Sequence, residues 1–138
     1  MPNEFKSAIA IAGSGMKAQA TRLRVISENL ANADSLPTKK GAEPYRRKTI
    51  TFKNALDREL GADKVKVDKI AEDTSEFLKK LDPGHPAADE DGYVLTPNVN
   101  PIIEMMDMRE AQRSYEANLS TLNTTKTMMR QTLSIIGN

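Results

Sequence analysis

A chain of 138 residues with a formal net charge of +1 is one domain by length, or one elongated domain with a small insertion, and carries no global field that would draw it to nucleic acid or membrane. Cysteine is absent, which excludes both a disulfide framework and a thiolate site. Only 38% of residues are apolar, with three Phe, three Tyr and no Trp, so the supply of Ala, Ile, Leu and seven Met suits helix–helix seams better than a thick aromatic core.

The N-terminal stretch, residues 2–33, places apolar side chains at alternating steps of three and four: Phe5, Ile9, Ala12, Met16, Leu23, Ile26, Leu30 and Ala33, with Gln19 as the interior break. This predicts a helix from about Asn3 to Ala33, N-capped by Asn3 and stopped by Asn32, Asp34 and Pro37. Gly13 and Gly15 each cost helix propensity of about 1 kcal/mol relative to Ala. Because the seam keeps its phase across them, they mark a close approach of a neighbouring backbone. The apolar run after Lys6 is short and Lys17 precedes Ala18-Gln19-Ala20, so a cleavable secretory signal is not expected. No run approaches the ~20 apolar residues of a membrane span.

Gly13-Ser14-Gly15-Met16-Lys17-Ala18 also matches the spacing of a dinucleotide-binding loop. That motif needs a strand, a tight turn, a helix N-terminus and then a second strand ending in an acid. Near Asp34 the chain runs Ser35-Leu36-Pro37 instead, so the match is one of letters only.

Residues 35–44 read as loop, and the basic clusters Lys39-Lys40 and Arg46-Arg47-Lys48 as a solvated surface, since only Tyr45 and Phe52 interleave them. Tyr45–Phe52 has strand character, Phe52–Leu60 reads as a short helix ending at Gly61, and Val65–Lys69 alternates as a strand with one wet face. Pro83, Gly84, Pro86, Gly92, Pro97 and Pro101 predict turning or extended backbone over 82–101. Asp89-Glu90-Asp91-Gly92 has the centre of a calcium loop, but Ala87 and Asn98 occupy its first and last ligand positions, which leaves an acid-stabilised turn. His85 is the only histidine, so no histidine pair or triad can form within one chain. Nothing assembles a nucleophile, a base and an oxyanion site; no enzyme activity, cofactor or metal is expected.

The last helix has the clearest start: Asn100 as N-cap, Pro101 at the first position, and Glu104 where the helix dipole favours an acid. Its seam is Met105, Met108, Tyr115, Leu119, Leu122, Met129, Leu133 and Ile136, broken by Gln112 and Lys126, and it stops at Gly137. A run of ~35 residues is roughly 50 Å long. With so many Thr and Ser, packing against partners must hold it.

The expected fold is therefore mainly α. Residues 1–36 and 99–138 form a discontinuous core in which the two helices pair as a coiled coil, and residues 37–98 form a β-rich insertion. The residues expected at helix-pairing and assembly interfaces are Ile9, Gly13, Gly15, Met16, Leu23, Ile26, Asn29, Leu30, Asn32, Met105, Met108, Tyr115, Asn118, Leu119, Leu122, Met129 and Leu133. Those expected to shape the insertion turn are Tyr45, Asp82, Pro83, Gly84, His85, Pro86, Gly92 and Tyr93. The same heptads would serve a coiled-coil scaffold or adaptor binding another soluble protein, and Lys39–Lys48 would serve a salt-sensitive nucleic-acid binder.

Several segments also resemble a known family. Ser14-Gly15-Met16, Arg22-Leu23 and Asn29-Leu30-Ala31-Asn32-Ala33 look like the N-terminal signature of axial flagellar proteins. Pro44-Tyr45-Arg46-Arg47, Asp82-Pro83-Gly84-His85-Pro86, Asp91-Gly92-Tyr93-Val94, Pro97-Asn98-Val99-Asn100, Glu104–Met108 and Arg113–Asn118 extend the likeness over nearly the whole chain. The chain resembles the proximal rod proteins of the bacterial flagellar basal body. That resemblance implies a structural subunit of the drive shaft in the periplasmic space, between the membrane ring and the hook. It implies export by the flagellar type III apparatus without a cleaved signal. The partners it implies are copies of itself, other rod proteins, the rod–membrane-ring adaptor and the distal rod, with neither nucleic acid nor a direct membrane span.

Overall fold

The computed structural model describes residues 2–137. Its elements in order are α1 (Pro2–Ala31), β1 (Lys48–Asp57), β2 (Ala62–Glu72), β3 (Leu78–Leu81), β4 (Tyr93–Thr96) and α2 (Pro101–Ile136), with β1 paired to β2 and β3 to β4. The chain's contacts divide into two compact units: one of Met1–Leu23, Thr51–Lys69 and Arg109–Asn138, the other of Arg24–Ile50 and Ile70–Met108. Both helices and the β1–β2 pair contribute residues to each.

In the first unit α1 and α2 run antiparallel: Gly15 faces Asn118, and Arg22 reaches Glu110 at 3.5 Å. A Cβ on Gly15 would stand 2.8 Å from the Asn118 amide, so the glycine is needed for this approach. Gly13 has no atom within 4 Å of the same position. The close approach expected of both glycines thus belongs to Gly15, and it is made by the chain's own second helix. Ser14 lies mid-helix in α1, which leaves no helix N-terminus there for a pyrophosphate. The buried side chains of this unit are small: Ala12, Ala18, Ala111 and Thr125.

β1 and β2 form an antiparallel hairpin, in which the Thr51 hydroxyl donates to the Lys69 carbonyl at 3.5 Å and Lys53 pairs with Asp68 at 3.2 Å. The short helix expected over Phe52–Leu60 is absent; most of that segment is strand. Asp57 decides this locally. Its carboxylate accepts the N–H groups of Glu59 and Leu60, its carbonyl accepts Gly61 N–H at 2.8 Å, and Gly61 turns back at φ +63. Val65 N–H donates to Ser14 Oγ at 3.3 Å and Ser7 Oγ to the Leu60 carbonyl at 3.5 Å, which fixes the hairpin along α1.

The second unit has the larger apolar core, with Val25, Ile26, Ala87, Val94 and Val99 buried. β3 and β4 are antiparallel with Leu78 opposite Thr96 and Leu81 opposite Tyr93. The turn between them closes where Asp82 N–H meets the Gly92 carbonyl at 2.9 Å. Gly92 sits at φ +84, and a Cβ there would lie 3.0 Å from the Pro83 ring.

The expected fold class needs correction. Helix makes up 48% and strand 21%, so the chain mixes helix and strand instead of being mainly α. Nor do the helices bury a coiled-coil seam. Met105, Leu119, Leu133 and Ile136 of the expected seam are exposed. The inward row of α2 steps by sevens through Glu104, Ala111, Asn118, Thr125 and Thr132, all buried or half-buried. Small and polar side chains let the helices approach closely, and this leaves Met105, Leu119, Leu133 and Ile136 exposed and the rest of the apolar seam, Met108, Tyr115, Leu122 and Met129, half-buried. At the termini, Asn3 lies inside α1 and does not cap it, whereas Asn100 Oδ1 accepts Ile102 N–H at 3.1 Å as an N-cap should.

Candidate functional site

The second unit is built around a buried polar hub. Asn29, on the last turns of α1, is 1% exposed and uses its whole amide. Its Oδ1 accepts the Tyr45 hydroxyl at 2.8 Å and Lys48 N–H at 2.9 Å; its Nδ2 donates to the Lys48 carbonyl at 2.9 Å and to Glu104 Oε2 at 3.3 Å. Glu104, also 1% exposed, takes the Nε–H of Arg47 on its other oxygen. The Arg47 guanidinium extends to Asp73 at 3.4 Å and Asp107 at 3.8 Å. Asn98 accepts Arg47 N–H at 2.8 Å and donates to the Asp73 and Ser75 carbonyls at 3.1 Å. Arg46 stacks 4.1 Å above the Phe77 ring.

The electrostatics follow from these partners. Burial is the largest single influence on Arg47 and works against its charge, but the hydrogen bonds and charges of Glu104 and Asp73 together outweigh it and raise the guanidinium pKa. Burial also pushes the Tyr45 hydroxyl up. The backbone N–H of Ser75, and then Arg47, hold Asp73 below the usual carboxylate range. At the margin, Glu28 and Lys48 meet at 2.9 Å; the bond lowers the first and raises the second. Such a network stabilises one arrangement of five segments, because an unpaired member would be left buried. It fixes the end of α1, the start of β1, the 73–75 loop, the Asn98 loop and the first turn of α2. It offers no nucleophile or open pocket, and its work is positional.

The insertion turn is also self-satisfied. Asp89 Oδ1 accepts the N–H groups of Asp91 and Tyr93, and His85 Nδ1 accepts Ala87 N–H at 3.0 Å. A Cβ on Gly84 would meet nothing within 4 Å, while Gly92 and Pro83 close the far side. Asp82, Pro83, Gly84, His85, Pro86, Gly92 and Tyr93 therefore lie together, but Tyr45 belongs to the hub instead.

Of the residues expected at helix interfaces, Gly15 and Asn118 are brought into contact, and Asn29 meets Glu104, which is not among them. Ile26 is buried; Ile9, Met16, Leu23, Leu30, Met108, Tyr115, Leu122 and Met129 are half-buried. Asn32 donates to the Glu28 carbonyl at 2.8 Å and ends α1. Met105, Leu119 and Leu133 are exposed, alongside Ile102, Ile103, Met106, Met128, Ile135 and Ile136 of the same helix. Among the described residues, nine large apolar side chains of α2 are thus exposed in the chain. Glu104, Arg47 and Asn98 are site residues that sequence reasoning misses. Glu104 reads from sequence as a dipole acid, and Arg47 and Lys48 as solvated loop; the signal is the phase of Glu104, seven residues before Ala111 on the inward row.

Comparison with known proteins finds two matching family descriptions and several relatives. A family described as "Flagella basal body rod protein" matches residues 9–35, and one described as "Flagellar basal body rod FlgEFG protein C-terminal" matches residues 90–135. The chain is 51% identical to the flagellar basal-body rod protein FlgC of Agrobacterium fabrum, over 96% of this chain and 95% of that one. It is 42% identical to the FlgC of Salmonella typhimurium, over 91% and 92% of the two chains. To that of Bacillus subtilis it is 39% identical, over 91% and 93%.

Proposed function

This chain belongs to the FlgC family of flagellar basal-body rod proteins, and from that premise we propose that it polymerises through the outward faces of its terminal helices. It is a structural subunit of the rod. The observation that carries the mechanism is the exposed apolar surface of α2, where Met106 is 65% exposed, Leu133 60% and Ile136 74%. Fully burying one such side chain is worth about 1.5–3 kcal/mol. Covering several of them by neighbours stabilises an assembly strongly, while the hub keeps each subunit's second unit in a fixed form.

A contact between unlike surfaces generates a helix whenever its rotation does not close a ring. Interfaces packed at interior density resist deformation, which is what a shaft carrying torque from the membrane ring to the hook requires. The partners are copies of the chain, other rod proteins, the rod–membrane-ring adaptor and the distal rod. Delivery is by the flagellar type III export apparatus. Deleting the gene, imaging basal bodies by electron microscopy and restoring the intact chain tests the reading. Loss of the rod beyond the inner ring, restored by the chain, supports it; normal rods in the deletion strain reject it.

A further inference from the structure

The first unit holds a groove of about 410 Å³ between α1 and the β1–β2 hairpin. Ala18, Ala55, Val65 and Val67 line it with apolar surface, and Lys17, Lys64 and Lys66 edge it. The bond from Val65 N–H to Ser14 Oγ ties the hairpin to the helix beside the groove. Lys64 is answered by Asp57. Lys17 and Lys66 have no ion-pair partner among the described residues. An apolar floor beside two unanswered cations fits an apolar group flanked by acids.

The second unit carries that complement. Leu81 and Tyr93 face each other across β3 and β4 and are 62% and 40% exposed. Glu90 and Asp91 stand exposed at the preceding turn, likewise with no ion-pair partner among the described residues. Asp89 turns one oxygen inward, its Oδ1 accepting the N–H groups of Asp91 and Tyr93. We propose that the Leu81/Tyr93 tip of one copy seats in the α1–hairpin groove of a second copy, with Glu90 and Asp91 against Lys17 and Lys66. This rests on the reading of the chain as a polymerising subunit and adds a contact separate from the α2 face. A second copy is the partner because both halves of the complement, apolar and charged, are carried by one chain. The contact joins unlike surfaces, so it propagates from copy to copy. Its charges set register and exclude wrong neighbours more than they add affinity.

The chain has no cysteine, so Lys66→Cys with Asp91→Cys on the full chain reports the contact by oxidative cross-linking in purified basal bodies. Dimers and higher oligomers of the chain are expected, while Lys66→Cys with Lys39→Cys stays monomeric. Basal bodies that contain the doubly substituted chain only as monomer overturn the contact, as does equal cross-linking in the Lys39 pair. Absence of the unsubstituted chain from basal bodies overturns the rod reading instead, so the two failures are told apart. Where the cysteine pair itself prevents rods from forming, charge exchange decides. Lys66→Glu and Asp91→Lys each reduce rod formation and together restore it; no restoration overturns the contact.

Discussion

Asn29 near the end of α1 and Glu104 in the first turn of α2 are 75 positions apart in sequence and 3.3 Å apart in the structure. Each is 1% exposed, and each is satisfied by the other and by the start of β1. Asn29→Ala strands Lys48 N–H, the Tyr45 hydroxyl and one oxygen of Glu104. The expected cost is about 2–3 kcal/mol, the range for buried groups left unsatisfied, read as a fall in Tm. Asn29→Asp sets a second carboxylate against Glu104, so at neutral pH it is expected to melt lower than Asn29→Ala. Proton uptake by the introduced carboxyl would then raise the variant's stability as pH falls.

Arg47 answers the buried Glu104 and also reaches Asp73 and Asp107. Arg47→Met leaves Glu104 buried without its cation, at an expected cost of about 3–5 kcal/mol in chemical denaturation. Arg47→Lys is expected to fall between Met and the parent, because a point charge cannot reproduce the fork that spans these acids.

The two glycines of α1 are expected to respond oppositely. Gly13→Ala meets no atom within 4 Å and should stabilise the helix by about 0.5–1 kcal/mol. Gly15→Leu collides with Asn118 and should destabilise by about 1–3 kcal/mol, the range for overpacking. Asn118→Ala in the same chain is expected to relieve part of that loss, and a thermodynamic cycle on the two positions measures it.

Acid should weaken the fold. Hydrogen bonds from Lys48 to Glu28, from Lys64 to Asp57, and from the Ser75 backbone to Asp73 lower all three carboxyl pKa values. A depressed folded-state pKa contributes stability that is present above the unfolded value, roughly 4, and is lost as pH falls through the folded value. Tm is expected to be flat from pH 7 to about 5 and to fall below it. Glu28→Gln should flatten part of that slope.

Much of this architecture is legible in the sequence. Asn100, Pro101 and Glu104 place the start of α2 correctly, and the alternation at Val65–Lys69 marks β2. The helical phase alone could not say which stripe faces inward, because α2 carries an apolar stripe and a small-polar stripe side by side. Residues such as Gly15 and Ala111, which allow close approach, select the second. The segment after Phe52 misleads because its helix-forming residues are overridden by strand pairing and by the Asp57 turn. Arg47 and Glu104 look like surface charges until the fold brings them together over a separation of 57 positions.

Leu133 bears most directly on the central claim, since it is 60% exposed in the chain and lies on the face assigned to neighbours. The measurement is the incorporation of Leu133→Asp into basal bodies, taken with the melting of the purified variant. An exposed substitution should shift stability by no more than about 0.5 kcal/mol. The account expects a variant that melts as the parent does and is missing from rods, in cells that do not swim. Normal rods and swimming with Leu133→Asp would contradict it.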